Sequence, residues 1–219
     1  MNKHRDKRAL ILDAMGKLIA EGRAADCSVS EIARTAGIGK GSVYYYYRSK
    51  REIEIDLYSK TYGGFVENCR KVLEFNANAL EKLKTLFKTY YSQSLNLEFD
   101  EYLHLPQNAE MHQKVLASLV DAIGPILSKI IKQGVSEGVF DCEKADEFAE
   151  IYVCVFAFLF DVGIFRYTTE ETLKRLTAFA ELMERGLKAK PGILEFVCDK
   201  EFLFSLKTTV TPDFHLSNA

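Results

Sequence analysis

The residues with the most chemistry to offer lie between Lys40 and Lys50. The run Lys40-Gly41-Ser42-Val43-Tyr44-Tyr45-Tyr46-Tyr47-Arg48-Ser49-Lys50 interleaves amines, hydroxyls and aromatic rings. That mixture suits a polyanion carrying stacked bases. Lys40 can reach a phosphate or a guanine edge, and Ser42 can bond a base or a phosphate. Tyr44, Tyr45 and Tyr46 span a full helical turn, so they cannot all face a core. Lys50 opens the next helical pattern, where backbone N–H groups also favour a phosphate. Ser30 and the basic arm of Lys3, Arg5, Lys7 and Arg8 are further phosphate candidates.

A second constellation is Glu101-Tyr102-Leu103-His104. Glu-x-x-His places both side chains on one helical face, as in carboxylate-bridged metal bundles, but those sites need two such pairs and two more glutamates. One pair predicts no metal site and no cofactor. No Gly-x-Ser-x-Gly, phosphate-binding loop or Gly-x-Gly-x-x-Gly is present, so the sequence does not argue for an enzyme. The five cysteines are odd in number and scattered, with no Cys-x-x-Cys pair. That pattern predicts reduced, buried thiols.

The elements that position these groups are helical. Leu10, Ile11, Ala14, Met15, Leu18 and Ile19 recur at three- and four-residue spacing before Gly22. Ser28-Val29-Ser30-Glu31 has the form of a capping box, and the helix it opens stops at Gly37. Gly37-Ile38-Gly39 is a tight turn, and a third short helix runs from about Lys40 to Tyr46. Ser49-Lys50-Arg51-Glu52 caps a long helix containing Gly63-Gly64. Asn76 to Asn78 breaks the pattern, and another helix carries Leu80, Leu83, Phe87, Tyr90 and Tyr91. Residues Asn96 to Asn108 read as irregular. A long pattern follows from Met111 to Ile131, with Gly134 and Gly138 at its end. Two further helices are predicted at about 143–165 and 170–188, the second capped by Thr168 and Glu171. The tail from Ile193 stays apolar through Leu206, which predicts a short helix, and the last ten or so residues read as loose. Alternating strand patterns are nearly absent. The fold class is therefore all-α, with eight to ten helices.

Charge divides the same chain in two. The whole carries 29 Lys+Arg and 31 Asp+Glu. Through Arg51 there are 11 basic and 5 acidic residues, which leaves 18 and 26 for the remainder. A head of +6 thus sits on a body of −8, and such asymmetry points to nucleic-acid contact. With 47% hydrophobic and 27% charged residues the chain is globular and not disordered. The start lacks a signal peptide's apolar core, and the most apolar run, Ile151 to Phe160, is too short to span a bilayer. A cytoplasmic protein with no membrane association is expected.

Two helices joined by Gly37-Ile38-Gly39 form a candidate helix-turn-helix, whose last helix would lie in the major groove. Ser28-Val29-Ser30-Glu31-Ile32-Ala33, Ala36-Gly37-Ile38, Lys40-Gly41-Ser42-Val43-Tyr44, Tyr46-Tyr47-Arg48-Ser49-Lys50 and Ile53 resemble the DNA-binding domain of the TetR (tetracycline-repressor-like) family. The resemblance covers about residues 5–65. It implies a helix-turn-helix domain at 1–51, reaching about 65 with the linking helix, and a helical ligand-binding and dimerisation domain at 52–219. It also implies that Tyr44 and Tyr46 approach phosphates while Tyr45 faces base edges. The DNA-reading segment is then Ser28 to Tyr47. Two residues depart from the family pattern. Gly39 replaces a capping serine, and Tyr47 replaces a core phenylalanine, so its hydroxyl needs a partner.

The function implied is a ligand-responsive transcriptional regulator, a repressor binding a pseudo-palindromic DNA operator as a homodimer. The resemblance puts an effector pocket behind the linking helix, with Phe87, Tyr90, Tyr91, Tyr102 and His104 as lining residues, and the effector a small molecule of unknown identity. The helices at about 143–165 and 170–188 would pair between subunits. Two other classes stay open on the residues alone: an all-α carboxylate/histidine metal protein or enzyme using Glu101 and His104, and a helical interaction protein without operator binding.

Overall fold

A computed structural model describes residues 6–93, 97–161 and 163–198, apart from the side chains of 91–99. Among the described residues there are helices and no strand. In chain order they are α1 (Lys7–Ala20), α2 (Val29–Ala36), α3 (Lys40–Tyr46), α4 (Lys50–Lys71), α5 (Ala79–Gln93), α6 (Leu97–Leu103), α7 (Ala109–Ser136), α8 (Ala145–Leu159) and α9 (Thr169–Gly186). They divide into two compact units. The first comprises Met1–Phe65 and Asn96–Gln113, the second Val66–Leu95 and Lys114–Ala219. The first unit therefore takes in more of the chain than residues 1–65.

In the first unit, α1 buries Ile11, Met15 and Leu18 completely, the face that its periodicity marks out. The Ser28 hydroxyl caps α2 by accepting the Glu31 N–H at 3.2 Å. The Glu31 carboxylate pairs with Arg23 and Arg34, so only the serine half of that capping box forms. Gly37 ends α2 in the left-handed region (φ 68°), which glycine adopts without a side-chain clash. Gly39 precedes α3 with no side-chain cap. At α4 the Ser49 hydroxyl accepts the Glu52 N–H at 3.2 Å, and the Glu52 carboxylate accepts the Arg48 N–H at 2.7 Å.

Residues 97–108 are not irregular. They form α6 and a single 3₁₀ turn, Pro106–Asn108. Local pattern is weak there, and burial supplies the order: Tyr102 and Leu103 are buried and α6 packs on α1. The buried Asn108 amide donates to the Tyr102 carbonyl at 2.7 Å, fixing the turn to the helix before it.

In the second unit, the Asn76–Asn78 break proves to be a cap. Asn78 and Glu81 exchange side-chain and backbone bonds at 2.9 and 3.1 Å to start α5. Helix α7 runs through Pro125 and past Gly134 to Ser136. Gly134 lies inside the helix because the Phe140 ring sits on it; a Cβ there would fall 2.2 Å from a ring carbon. Helix α8 ends at Leu159, short of the expected Phe165. Asp161 turns the chain by accepting the Gly163 and Ile164 N–H groups at 2.9 and 3.2 Å. The Thr168–Glu171 capping box is complete. Leu176, Phe179 and Met183 of α9 are buried, as are Tyr152 and Phe156 of α8. The buried Glu184 carboxylate accepts the Gly192 and Leu194 N–H groups at 3.0 and 2.8 Å, anchoring a 3₁₀ turn at Glu195–Cys198. The rest of the expected tail lies outside the described residues.

The cysteines correct one expectation. Cys27 and Cys69 are buried, Cys142 and Cys198 are half-buried and Cys154 is exposed. Burial pushes the Cys69 thiol up to about 12. Cys154 is open because α8, apolar on most faces, leaves one face to solvent in the single chain. Among the described residues no helix is long and apolar enough to cross a membrane.

Candidate nucleic-acid interface

Helix α3 is seven residues long and turns one narrow face inward. Val43 is fully buried and Tyr47, one turn on, is 5% exposed. The other face is bare: Tyr44, Tyr45 and Tyr46 are 49%, 82% and 40% exposed. Lys40 is exposed, with its ammonium 5.8 Å from the centre of the Tyr44 ring. Ser42 is half-buried beside them, and Ser30 is exposed in the first turn of α2. The Tyr45 and Tyr46 rings meet edge-on at 5.0 Å. Three solvent-facing tyrosines on so short a helix are not core filler. They leave an apolar and hydroxylated surface flanked by an amine, fit to meet base edges and phosphates.

The base of α3 is held by a polar triad. The Tyr47 phenol donates to Asp56, and the Arg8 guanidinium grips both oxygens of that carboxylate at 2.8 Å. Burial, then the bond to Asp56, pushes the Tyr47 phenol up to about 12. Arg8 holds the Asp56 carboxyl below its usual range. The hydroxyl that departs from the family pattern thus has its partner. Arg8, expected in a phosphate-seeking arm, is directed onto Asp56 instead. Lys7 is exposed, and Lys3 and Arg5 lie outside the described residues.

Lys50 is likewise turned inward. Its ammonium donates to the carbonyls of Ala24 and Ala25, the latter at 2.8 Å, and lies 3.8 Å from Glu54. It ties the loop after α1 to the start of α4. Behind it, the buried Glu54 accepts the Tyr102 hydroxyl at 2.6 Å and pairs with Arg51 at 3.3 Å, while Arg51 donates to Asn108 at 3.2 Å. Burial and Glu54 both push the Tyr102 phenol up. This network links α4 to α6 within the first unit. Its traces in the sequence are the four-residue spacing of Lys50 and Glu54 and the three-residue spacing of Arg51 and Glu54.

The five expected pocket residues separate. Phe87 and Tyr90 line a narrow apolar cleft of about 40 Å³ in the second unit, together with Leu127, Tyr152, Val153 and Phe156. The Phe156 ring stands edge-on to Phe87 at 5.2 Å and to Tyr90 at 5.1 Å. Tyr102 belongs to the first unit, bonded to Glu54. His104 is there too, its Nδ1 2.7 Å from the Asp100 carbonyl. The Tyr91 side chain lies outside the described residues. Val153 and Phe156, which the apolar pattern of their helix does not single out, also line the cleft. Nor does Glu-x-x-His make one face: α6 ends at Leu103, Glu101 is exposed and the His104 side chain is 14% exposed.

Known proteins share this organisation. Residues 11–54 match the domain described as "Bacterial regulatory proteins, tetR family", and residues 91–182 match "Tetracyclin repressor-like, C-terminal domain". The chain is 32% identical over 142 residues to the Fatty acid metabolism regulator protein of Bacillus subtilis (strain 168), covering 63% of this chain and 73% of that protein. It is 28% identical over 98 residues to the HTH-type transcriptional repressor NemR of Escherichia coli (strain K12), covering 44% and 48%. Among solved structures, the fatty acid degradation regulator FadR from Bacillus halodurans superposes with a TM-score of 0.57 at 21% identity, over 94% of this chain and 96% of that one. The helix-turn-helix with its outward tyrosines, the helical body and these matches place the chain in the TetR family of bacterial regulatory proteins, which are ligand-responsive, DNA-binding transcriptional repressors.

Proposed function

We propose that this regulator reads its operator through the outer face of α3, as a homodimer, and that an apolar, acyl-type molecule entering the second unit controls it. The observation that carries the reading is the exposure of Tyr44, Tyr45 and Tyr46 beside Lys40 on a helix whose inner face is fully packed. Tyr45 and Ser42 meet base edges. Lys40, Tyr44, Tyr46 and Ser30 hold the phosphates on either side. Lys50 and Arg8 act one step back, setting the angle at which α3 is presented.

Pairing of two copies would use α8 and α9. Ile151, Cys154 and Phe158 form an exposed stripe at helical spacing on α8, and Ala178 and Leu182 form another on α9. A side-by-side pair of such helices from each copy makes a four-helix bundle. Two α3 helices would then address half-sites about 34–36 Å apart.

The lining of the cleft supports an apolar effector, and two relatives are named for fatty-acid metabolism and degradation. At about 40 Å³ the cleft holds no more than a few waters. An acyl chain must therefore part Phe87, Tyr90 and Phe156. That gives the ligand its preference for one arrangement of the body, which any change in DNA affinity requires. An operator selected from random DNA, bound in fluorescence anisotropy and then titrated with medium- and long-chain acyl compounds, tests both parts. Release by acyl compounds supports the effector class, whereas release by polar metabolites alone overturns it.

A further inference from the structure

We propose that His104 and His112 form a binding site for a divalent transition-metal ion of the imidazole-preferring class, such as zinc, nickel or cobalt. His104 follows the last turn of α6 and His112 lies in the first turn of α7. Both belong to the first unit. Their rings approach edge-on, with centroids 4.4 Å apart and planes at 69°. Ligating nitrogens of the two lie within 4.8 Å of each other. Two imidazole nitrogens at about 2.0–2.1 Å from one tetrahedral ion stand roughly 3.4 Å apart. A small side-chain rotation closes this pair onto an ion.

The tautomer of His104 points the same way. Its Nδ1 lies 2.7 Å from the Asp100 backbone carbonyl. A carbonyl only accepts, so Nδ1 carries a proton, and in the neutral imidazole that a metal requires the lone pair is on Nε2. A ligating histidine is regularly held by such an outer bond to a carbonyl or carboxylate. The Asp100 carboxylate, 3.9 Å from the same nitrogen, adds negative charge nearby.

The turn between the two residues is already set. Asn108 is buried and donates to the Tyr102 carbonyl, so an ion need not order the segment that carries its ligands. Imidazole donors favour zinc, nickel, copper and cobalt over magnesium and calcium. Looking for a partner three residues away finds Glu101; the partner arrives instead from the next helix.

The test uses the untagged full chain, stripped with chelator and titrated with cobalt(II) and zinc(II). One cobalt per chain, with visible ligand-field bands and no thiolate charge-transfer band, supports the site. His104→Gln and His112→Gln should each weaken binding at least 10-fold, and the double variant should lose it. Stoichiometric binding retained by the double variant, or a thiolate band, overturns the proposal. A second measurement avoids mutation: zinc should protect His104 and His112 of the wild-type chain from acylation of their rings, read by mass spectrometry. Protection confined to His4 or His215 overturns it.

Discussion

The phenol of Tyr47 donates to the carboxylate of Asp56, and Arg8 holds that carboxylate from the other side with both a side-on and a terminal guanidinium nitrogen. The last residue of the recognition segment is thereby fastened to the helices on both sides of it. Tyr47→Phe removes the bond donated to Asp56 and the one accepted from Arg8 Nε at 3.3 Å, and leaves the Arg8–Asp56 pair in place. It should cost about 1 kcal/mol in urea unfolding. Asp56→Asn weakens both contacts and should cost more.

The same triad fixes a pH dependence. The Asp56 carboxyl is held below its ordinary value of 3.8 by Arg8, so its contribution is present above that value and is lost as pH falls through the lower one. The Tyr47 phenol is raised from 10.0 to about 12, so its contribution is whole below pH 10 and lost on approaching 12. The stability gap between wild type and Tyr47→Phe should be flat from about pH 5 to 9 and close at the alkaline end. A gap that widens above pH 10 would contradict the bond.

Lys40 and Lys50, ten residues apart, should behave oppositely. If Lys40 holds a phosphate as proposed, Lys40→Ala should lower the slope of log affinity against log salt by about 1, with folding unchanged. Lys50→Ala should lower the unfolding midpoint, since its ammonium holds two carbonyls, and leave the salt slope unaltered. Salt titrations of operator binding, run beside urea melts, separate the two.

The contrast shows where the sequence was legible. Periodicity and glycines place α1 to α4 and the turn at Gly37, because each signal is local. Lys50 read as a phosphate ligand because it opens a helix, and only tertiary structure puts Ala24 and Ala25 within its reach. Residues 97–108 carry no clear pattern, since their order comes from Tyr102 meeting Glu54 and Asn108 meeting Tyr102. The resemblance groups Tyr102 and His104 with Phe87 and Tyr90 in one pocket, and neither it nor aromatic character says which unit a ring joins. The apolar pattern of α8 predicts neighbours on several sides without saying which face meets which; Val153 and Phe156 turn inward to line the cleft.

The exposed stripe on α8 and α9 gives a prediction about assembly. Ile151→Glu with Leu182→Glu should convert a dimer to a monomer in sedimentation at micromolar concentration, and operator affinity should fall with it. Wild-type Cys154 should react with a thiol reagent more slowly as concentration rises, while buried Cys27 and Cys69 react only on unfolding. A wild-type chain that sediments as a monomer would remove the basis for the bundle.

Filling the cleft should uncouple the effector from DNA. Val153→Phe puts extra carbons into a space of about 40 Å³. Overpacking of this kind costs about 1–3 kcal/mol. Operator affinity should stay within about threefold of wild type, and the acyl concentration needed for release should rise tenfold or more. Equal sensitivity to the effector would move the ligand site elsewhere.

Recognition through the outer face of α3 is tested most directly by the affinity of Lys40→Ala/Tyr46→Ala for the selected operator at fixed salt, with sedimentation confirming an unchanged oligomeric state. Two contacts worth at least about 1 kcal/mol each should weaken binding about 30-fold or more. Affinity equal to wild type, in a variant that folds and assembles as wild type does, would contradict α3 as the reading element.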